Sequence, residues 1–143
     1  MAIEVRINPI DFEPNTAIGI DLPMNASSGN SFQLNYLSID QAVANAKNLL
    51  LTNRGERIMQ PEFGCDLRKS LFQNITEELV LDIENRIRTS FEYWLPYIFI
   101  NKLTIDEEAD ANRVNVTLSI SLVGNQVDTR SIQLEIINTQ QNG

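Results

Sequence analysis

The chain has 143 residues and a formal net charge of −8, with 43% apolar residues and one cysteine. This length fits one domain with a real core and leaves no room for a second. The negative charge argues against a nucleic-acid partner, because affinity for phosphates comes largely from cations that release counterions. A lone cysteine cannot form an internal disulfide, which indicates a reducing compartment, and we find no signal peptide or membrane span.

Residues 1–37 differ from the rest of the chain. Three prolines interrupt them, and their apolar residues follow no sustained helical period. Two interpretations stay open: a loop that packs along its own domain, or an extended arm that orders against another subunit. We favour the arm, because so many large apolar residues need a surface to cover. The folded domain is then residues 38–143.

The first predicted helix begins at Ser38 and ends near Thr52. Its start, Ser38-Ile39-Asp40-Gln41, has the pattern of a capping box, in which the hydroxyl and the Gln amide satisfy early backbone N–H groups. Its end, Asn53-Arg54-Gly55, is typical of a helix stop with glycine as the left-handed cap. We expect the small residues within it to permit close approach of another element.

The stretch Leu49–Phe72 is the most distinctive part of the chain. It holds four of the eleven basic residues and the only cysteine. We predict that Arg54 and Arg57 either face an acidic partner surface or brace the loop through Glu56 and Glu62.

A short helix and a long helix follow this loop. The short one is predicted from Leu67, Leu71 and Phe72, and Thr76 is predicted to cap the long one, which Pro96 ends. The long helix has one apolar stripe, made of Leu79, Val80, Ile83, Ile87, Phe91 and Trp94.

Beyond the long helix the apolar period changes from 3.6 to 2. Alternation predicts strands at 98–105, 114–122 and 129–138, with turns at 106–112 and at Gly124-Asn125. In the first strand one face would carry Phe99, Asn101, Leu103 and Ile105, and the other Ile98, Ile100, Lys102 and Thr104. The predicted fold class is α+β, with about three helices packed on a three-stranded antiparallel β-meander and an extended N-terminal arm.

The sequence offers little for catalysis. It contains no histidine, and Cys65 therefore lacks an imidazole partner. Glu56 lies between Arg54 and Arg57, which favour its charged form, whereas glycosidic cleavage needs a carboxyl with a raised pKa. No phosphate-loop or metal-loop pattern occurs. We predict a protein without enzymatic activity, cofactor or metal.

One motif resembles a known family. The chain is similar to the gene-product-25-like baseplate wedge proteins of contractile-tailed phages, from residue 38 to near residue 138. In that family a helix ends in a Gly-x-Arg loop, followed by Pro-x-Phe-Gly and a short Leu-x-x-x-Leu-Phe helix. The matching positions are Gly55, Arg57, Pro61, Phe63, Gly64, Leu67, Leu71 and Phe72.

The resemblance implies a structural wedge subunit close to the tail tube, which initiates the sheath by offering strand edges to its first ring. It implies other wedge subunits and the tail sheath protein as partners, and tail tube or hub proteins as further contacts. No nucleic acid, membrane or cofactor is implied. The expected location is the virion tail baseplate, after assembly in the host cytoplasm.

Three groups of residues are predicted to bind partners. The family carries Glu-Pro-Arg after the long helix, but this chain matches only Pro96, so we predict apolar docking there instead of ion pairs. The C-terminal strand is expected to exchange strands with the sheath. The predicted residues are Arg54, Arg57, Pro61 and Phe63 in the loop, Trp94, Leu95, Pro96 and Tyr97 after the helix, and Ile132, Gln133, Leu134, Glu135 and Ile136 in the strand.

Two alternatives stay open. A type VI secretion baseplate component would have the same fold, and gene neighbours would distinguish it from a phage protein. A cell-wall muramidase belongs to a different functional class, and a hydrolysis assay on purified protein would test it.

Overall fold

The structure, a computed structural model, describes residues 9–13, 15–22, 24, 33–70, 76–108 and 113–137. After a 3-10 helix at Pro9–Phe12, the elements are β1 (Gly19–Ile20), β2 (Leu34–Asn35), α1 (Ser38–Leu51), α2 (Leu67–Ser70), α3 (Glu77–Trp94), β3 (Ile98–Glu108), β4 (Arg113–Leu122) and β5 (Asn125–Ile137). Strands β1 and β2 form an antiparallel pair, and β3-β4-β5 form a separate antiparallel sheet in chain order. The α+β prediction with a three-stranded meander is confirmed. No helix among the described residues is long and apolar enough to cross a membrane.

The core lies between helices α1 and α3 and one face of the three-stranded sheet. Helix α1 contacts β4 and β5, and α3 contacts β3 and α1. Strand β4 is central, and its even-numbered residues from Val114 to Ile120 are all buried. Burying each such side chain stabilises the fold by about 1.5–3 kcal/mol. The other main contributors are Leu49 and Leu50 from α1, Ile83, Ile87 and Phe91 from α3, and Ile132 and Ile136 from β5.

The start of α1 is capped from a distance. The predicted capping box is wrong: Leu37 occupies the N-cap position and makes no side-chain cap bond. Instead the Asp11 carboxylate accepts hydrogen bonds from the Ser38 N–H at 2.7 Å and from the Ser38 hydroxyl at 2.9 Å. The side chain of Gln41 binds Asn45 and Asn35.

Other described parts of residues 9–37 also lie against α1. Lys47 donates to the carbonyl of Leu22 at 2.9 Å, and β1 and β2 both contact the helix. Ala44 is buried on the same side as Gln41, since residues three apart share a helix face. Helix α1 is therefore covered on this side as well as on its core side, as its small residues predicted. The division into an arm and a domain stays a prediction.

Asp11→Ala is expected to lower the free energy of unfolding by about 1 kcal/mol, because α1 loses an acceptor for its first turn. Glu13→Ala is the matched control, since Glu13 is an exposed carboxylate that binds only Thr16 among the described side-chain contacts. We expect a change below about 0.5 kcal/mol there. Urea denaturation measures both, and equal losses would contradict a capping role for Asp11.

Helix α3 follows its sequence pattern closely. The Thr76 hydroxyl accepts from the Leu79 N–H at 3.3 Å, so the predicted cap is confirmed. The helix ends at Trp94, just before Pro96. The predicted short helix begins at Leu67, but the described part ends at Ser70, and the predicted positions Leu71 and Phe72 lie outside the described residues.

The predicted face assignment of β3 is wrong at its start. Ile100 pairs with Ile120 and Lys102 with Ser119, so Asn101 is an extra residue that shifts the register. A bulge of one residue exchanges the two faces of a strand. Ile98 and Ile100 therefore share the core side with Leu103 and Ile105, while Phe99 is exposed. The strand also continues to Glu108 through part of the predicted acidic turn.

Candidate assembly surface

The loop between α1 and α2 is closed by backbone hydrogen bonds. The Cys65 N–H donates to the Thr52 carbonyl at 3.2 Å, and the Gly55 N–H donates to the Pro61 carbonyl at 2.7 Å. The predicted glycine cap is wrong: α1 ends at Leu51 with Thr52 in an extended conformation. Gly55 does have a positive φ of 90°, but it turns the chain inside the loop.

Charged side chains brace the loop, although not in the predicted pairs. Asp66 Oδ1 accepts from the Arg54 N–H at 2.7 Å and lies 3.2 Å from Lys69 Nζ. Glu56 accepts from the backbone and side chain of Asn53, and these two bonds, with Arg68 and Lys69 adding to them, lower the pKa of Glu56. Within the described residues neither predicted arginine forms an ion pair with a glutamate.

Gly64 brings the loop against the end of α1. Its φ is 130°, which side chains rarely adopt. A Cβ added at this position would lie 2.4 Å from the Thr52 carbonyl oxygen and 2.9 Å from the Asn53 carbonyl carbon. Both are backbone atoms, so only glycine fits here without moving the chain.

Four side chains join the loop to the end of α3. The Arg57 guanidinium lies 3.9 Å from the Phe63 ring centroid. Phe63 contacts Trp94 edge-to-face at 5.2 Å, and Trp94 contacts Tyr93 in the same way at 4.9 Å. Such cation–π and edge-to-face contacts each contribute about 0.5–1.5 kcal/mol. We call these four residues the aromatic ladder. The loop and the helix end, which were predicted as separate contacts, are thus joined; Phe63 is buried in the core, whereas Tyr93 is exposed.

The remaining predicted residues at the helix end point in different directions. Leu95 is buried in the core, so its side chain does not face outward as apolar docking would require. Pro96 and Pro61 are exposed. The Tyr97 hydroxyl accepts from the Asn45 amide at 2.7 Å, which ties the turn before β3 to α1.

The predicted residues of β5 form a second, separate location. Ile132 and Ile136 are buried in the core, and Leu134 packs against it. Gln133 and Glu135 are exposed, and Glu135 pairs with Arg113 of β4 at 3.0 Å.

Strand β5 is an edge of the sheet. Its pairing with β4 extends from Thr129 opposite Ser121 to Ile137 opposite Arg113, and no other described strand pairs with it. The Val123 N–H donates to the Tyr97 carbonyl, so odd-numbered residues of β4 point toward β3. Backbone groups alternate in direction along an antiparallel strand. The even-numbered residues of β4 therefore bond β5, and the N–H groups of Gln133 and Glu135 point to the open edge.

A groove lies beside this strand. It has a volume of about 510 Å³ and runs between residues 33–37, the start of α1 and β5 at Arg130 and Ser131. Apolar side chains line part of it, and Arg130 lies 3.5 Å from Asp40. The apolar lining residues are Leu34, Tyr36, Leu37 and Val43.

Sequence reasoning missed two residues at the loop tip, Ile58 and Met59. Their side chains are 95% and 91% exposed. The available signal was two large apolar residues inside a loop that has no helical or strand period. Cys65, by contrast, is buried, and burial raises the pKa of its thiol.

Comparison with known proteins identifies the family. A model of the family described as baseplate wedge protein gp25 matches residues 38–127, which include the loop, α3, β3, β4 and the start of β5. The baseplate wedge protein gp25 of Enterobacteria phage T4 is 28% identical over 91 residues, covering 64% of this chain and 69% of that protein.

Solved structures share the fold. A chain of the anti-feeding prophage baseplate has a TM-score of 0.63 and 26% identity, covering 76% of this chain and 86% of its own. A chain of the post-contraction pyocin R2 baseplate has a TM-score of 0.57 and 21% identity, and the match covers 68% of this chain and 97% of that one. A candidate tail lysozyme from Geobacter sulfurreducens has a TM-score of 0.61 and 22% identity, and the match covers 72% of this chain and 94% of that one. Because the family model matches more than half of this chain, the chain belongs to the baseplate wedge protein gp25 family.

Proposed function

We propose that this baseplate wedge protein helps to hold the wedge around the tail tube and templates the first sheath ring by β-strand exchange. Its partners would be other wedge subunits, the tail sheath protein and, near the tube, tube or hub proteins. It would act in the tail baseplate after assembly in the host cytoplasm.

The open edge of β5 is the observation that carries the sheath proposal. Ser131, Gln133 and Glu135 pair with odd-numbered residues of β4, so their backbone groups face away from it. An incoming extended segment would bond these groups, each hydrogen bond contributing about 0.5–1.5 kcal/mol net. Open edges invite pairing and are commonly blunted by proline or by charged side chains. Strand β5 contains no proline, and its charged residues Asp128, Arg130 and Glu135 are each engaged in ion pairs.

The groove beside β5 supports the same proposal. An added strand needs apolar contacts for alternate side chains as well as backbone partners. Leu34, Tyr36 and Leu37 are each partly exposed along the groove and offer such contacts. The aromatic ladder, with its exposed Tyr93, would serve the wedge contacts instead.

Tails assembled without this chain are expected to have bare tubes. The physical reason is that sheath subunits would lack the preformed strand edge on which the first ring closes. Electron micrographs of tails from cells lacking the gene, with and without the gene supplied in trans, measure the sheathed fraction. Normal numbers of sheathed tails without the protein would refute the proposal.

The type VI alternative predicts the same kind of wedge function in a secretion system. Relatives of the same fold come from the anti-feeding prophage and pyocin R2 baseplates, so contractile systems beyond phages stay candidates. Tail tube, sheath and capsid genes beside this gene would assign it to a phage.

A lytic function is the candidate from another class, since one solved relative is named a candidate tail lysozyme. A glycosidic general acid needs a carboxyl whose pKa is raised by an apolar surrounding. Glu56 is exposed and its pKa is lowered by the Asn53 hydrogen bonds, which is the opposite condition. A cell-wall hydrolysis assay on the purified protein separates this candidate from the structural one.

A further inference from the structure

The groove beside β5 has a strand on each side, β2 on one and β5 on the other. On the β2 side, the Gln33 carbonyl accepts from the Asp21 N–H at 2.9 Å. The Asn35 carbonyl likewise accepts from the Ile18 N–H at 2.8 Å. Because backbone groups alternate in direction along an extended strand, those of Leu34 point away from β1. The groove therefore lies between two strands that each turn backbone groups away from their own sheet.

The β2 side of the groove is fixed to α1. The Asn35 amide is buried and donates to Gln41 Oε1 at 3.2 Å. Gly19 of β1 approaches the same Gln41 side chain so closely that a Cβ there would collide with it. Lys47 of α1 holds the Leu22 carbonyl at 2.9 Å. A wall that is already in place loses little conformational entropy when a segment binds, so more of the contact energy appears as affinity.

The direction of the β5 side chains determines which residues of an added strand would enter the groove. Ile132 is buried on the core side, and Arg130 reaches toward Asp40 of α1 at 3.5 Å. Residues opposite these two on an added strand face the same way, since paired residues share a face of a sheet. They meet the lining side chains Tyr36 and Val43. The residues between them point to the other face.

The size of the groove fits a few apolar side chains. It has a volume of about 510 Å³. A core from which one leucine side chain has been removed holds a cavity of about 150 Å³, so the groove has room for roughly three such side chains. An extended segment with apolar residues at every second position supplies them from one face.

The β5 strand of a second copy of this chain does not have that pattern to offer. Its apolar residues Ile132 and Ile136 are buried in its own core. Its outward residues Ser131, Gln133 and Glu135 are polar and exposed. The occupant that fits is therefore a segment whose apolar face is not already used by a core.

We propose that one extended segment with alternating apolar side chains lies between β2 and β5 and bonds the backbones of both. The two separate sheets of this chain would then become one continuous sheet. The inference rests on the proposed function for the source of the segment, the tail sheath protein. It adds the side-chain pattern of that segment and a second backbone partner, β2.

Two synthetic peptides of the same composition test the pattern on the full chain. In one, valine alternates with threonine and lysine, and in the other the same residues are shuffled so that no alternation remains. We expect the alternating peptide to bind at least about tenfold more tightly, because only its apolar residues all face the groove. Hydrogen exchange read by NMR should show slower exchange at the Leu34 and Gln133 amides when it is bound. Slower exchange at Gln133 alone would contradict the role of β2.

A double variant, Leu34→Ser, Tyr36→Ser, tests the lining. It is expected to bind the alternating peptide about tenfold more weakly than the unmodified chain does. The matched control is Leu51→Ser, Leu81→Ser, which removes side chains that are 48% and 60% exposed outside the groove lining. It is expected to stay within about twofold, since exposed substitutions usually change little. Thermal unfolding checks that both variants are folded, and the exchange measurement on the unmodified chain needs neither.

A photo-crosslinking residue at position 34 identifies the occupant in assembled tails. We expect crosslinks to the sheath protein, and crosslinks only between copies of this chain would overturn the proposal. Equal binding of the two peptides, or undiminished binding by the Leu34→Ser, Tyr36→Ser variant, would overturn it as well. These outcomes are distinct from failure of the proposed function, which would appear as normally sheathed tails without this chain, whatever the peptides do.

Discussion

Replacing Gly64 with alanine is expected to lower the free energy of unfolding by about 3 kcal/mol, a large part of the stability of a domain of this size. Two effects add. The φ of 130° is strained for any side chain, and the new Cβ would lie 2.4 Å from the Thr52 carbonyl oxygen. That oxygen already accepts a bond from Cys65, so it cannot move away without breaking the closure of the loop.

Gly55→Ala is the matched control for this substitution. Gly55 also has a positive φ, of 90°, but a Cβ added there meets no atom within 4 Å. Only the left-handed backbone is then penalised, at about 1–2 kcal/mol. Urea denaturation of both variants gives the comparison. Equal losses would show that the close packing of the loop on α1 contributes nothing.

Gln133→Pro is expected to abolish sheath assembly and to leave the domain folded. The Gln133 N–H points to the open edge, so proline removes a donor that only an added strand would use. Gln133→Ala keeps the donor and is expected to give sheathed tails. Glu135→Pro should behave as Gln133→Pro does, because the two residues share the same direction.

Leu134→Pro is the control that separates the edge from the sheet. Leu134 pairs with Val116 and its N–H points toward β4, so proline there breaks the ladder of the domain itself. We expect a clear fall in melting temperature for this variant and a small one for Gln133→Pro. Electron micrographs give the sheathed fraction. Normal sheathed tails with folded Gln133→Pro protein would refute the template role of β5.

Patterns within a single element were readable from the sequence. Helix α3 was predictable because its apolar stripe and its Thr76 cap lie within one continuous segment. The meander was predictable because short turns leave antiparallel pairing as the only geometry. The two-residue strands β1 and β2 carry too few residues for any period to appear.

Contacts between distant segments were not readable in this way. Asp11 caps α1 from 27 residues away, and the nearer Ser38-to-Gln41 pattern suggested a local cap instead. Of the two expectations for Arg57, bracing of the loop through Glu56 and Glu62 is not what the structure has, since its guanidinium lies over Phe63; the acidic partner surface stays a prediction. The bulge at Asn101 was hidden because apolar residues occur on both alternating sets of β3.

The sequence motif indicates the loop between α1 and α2 but not its two exposed apolar residues. Arg54, Arg57 and Pro61 were chosen for charge and backbone geometry, which a motif shows directly. Exposure is a property of the folded chain, and two apolar residues in a sequence are equally compatible with a core position. Only the folded loop shows that Ile58 and Met59 are exposed. Their exposed position, rather than their residue type, makes them candidate contact residues.

An unpaired strand edge has a consequence for the protein before assembly. Two free copies could pair their β5 strands with each other, which would use up the edge and begin aggregation. Each copy carries a net charge of −8, so two copies repel one another as they approach. Added salt weakens that repulsion, because the screening length falls from about 10 Å at about 0.1 M salt to about 3 Å at about 1 M. The acidity of the chain is therefore expected to protect the open edge of β5 before assembly, and pairing between free copies is expected to increase with ionic strength.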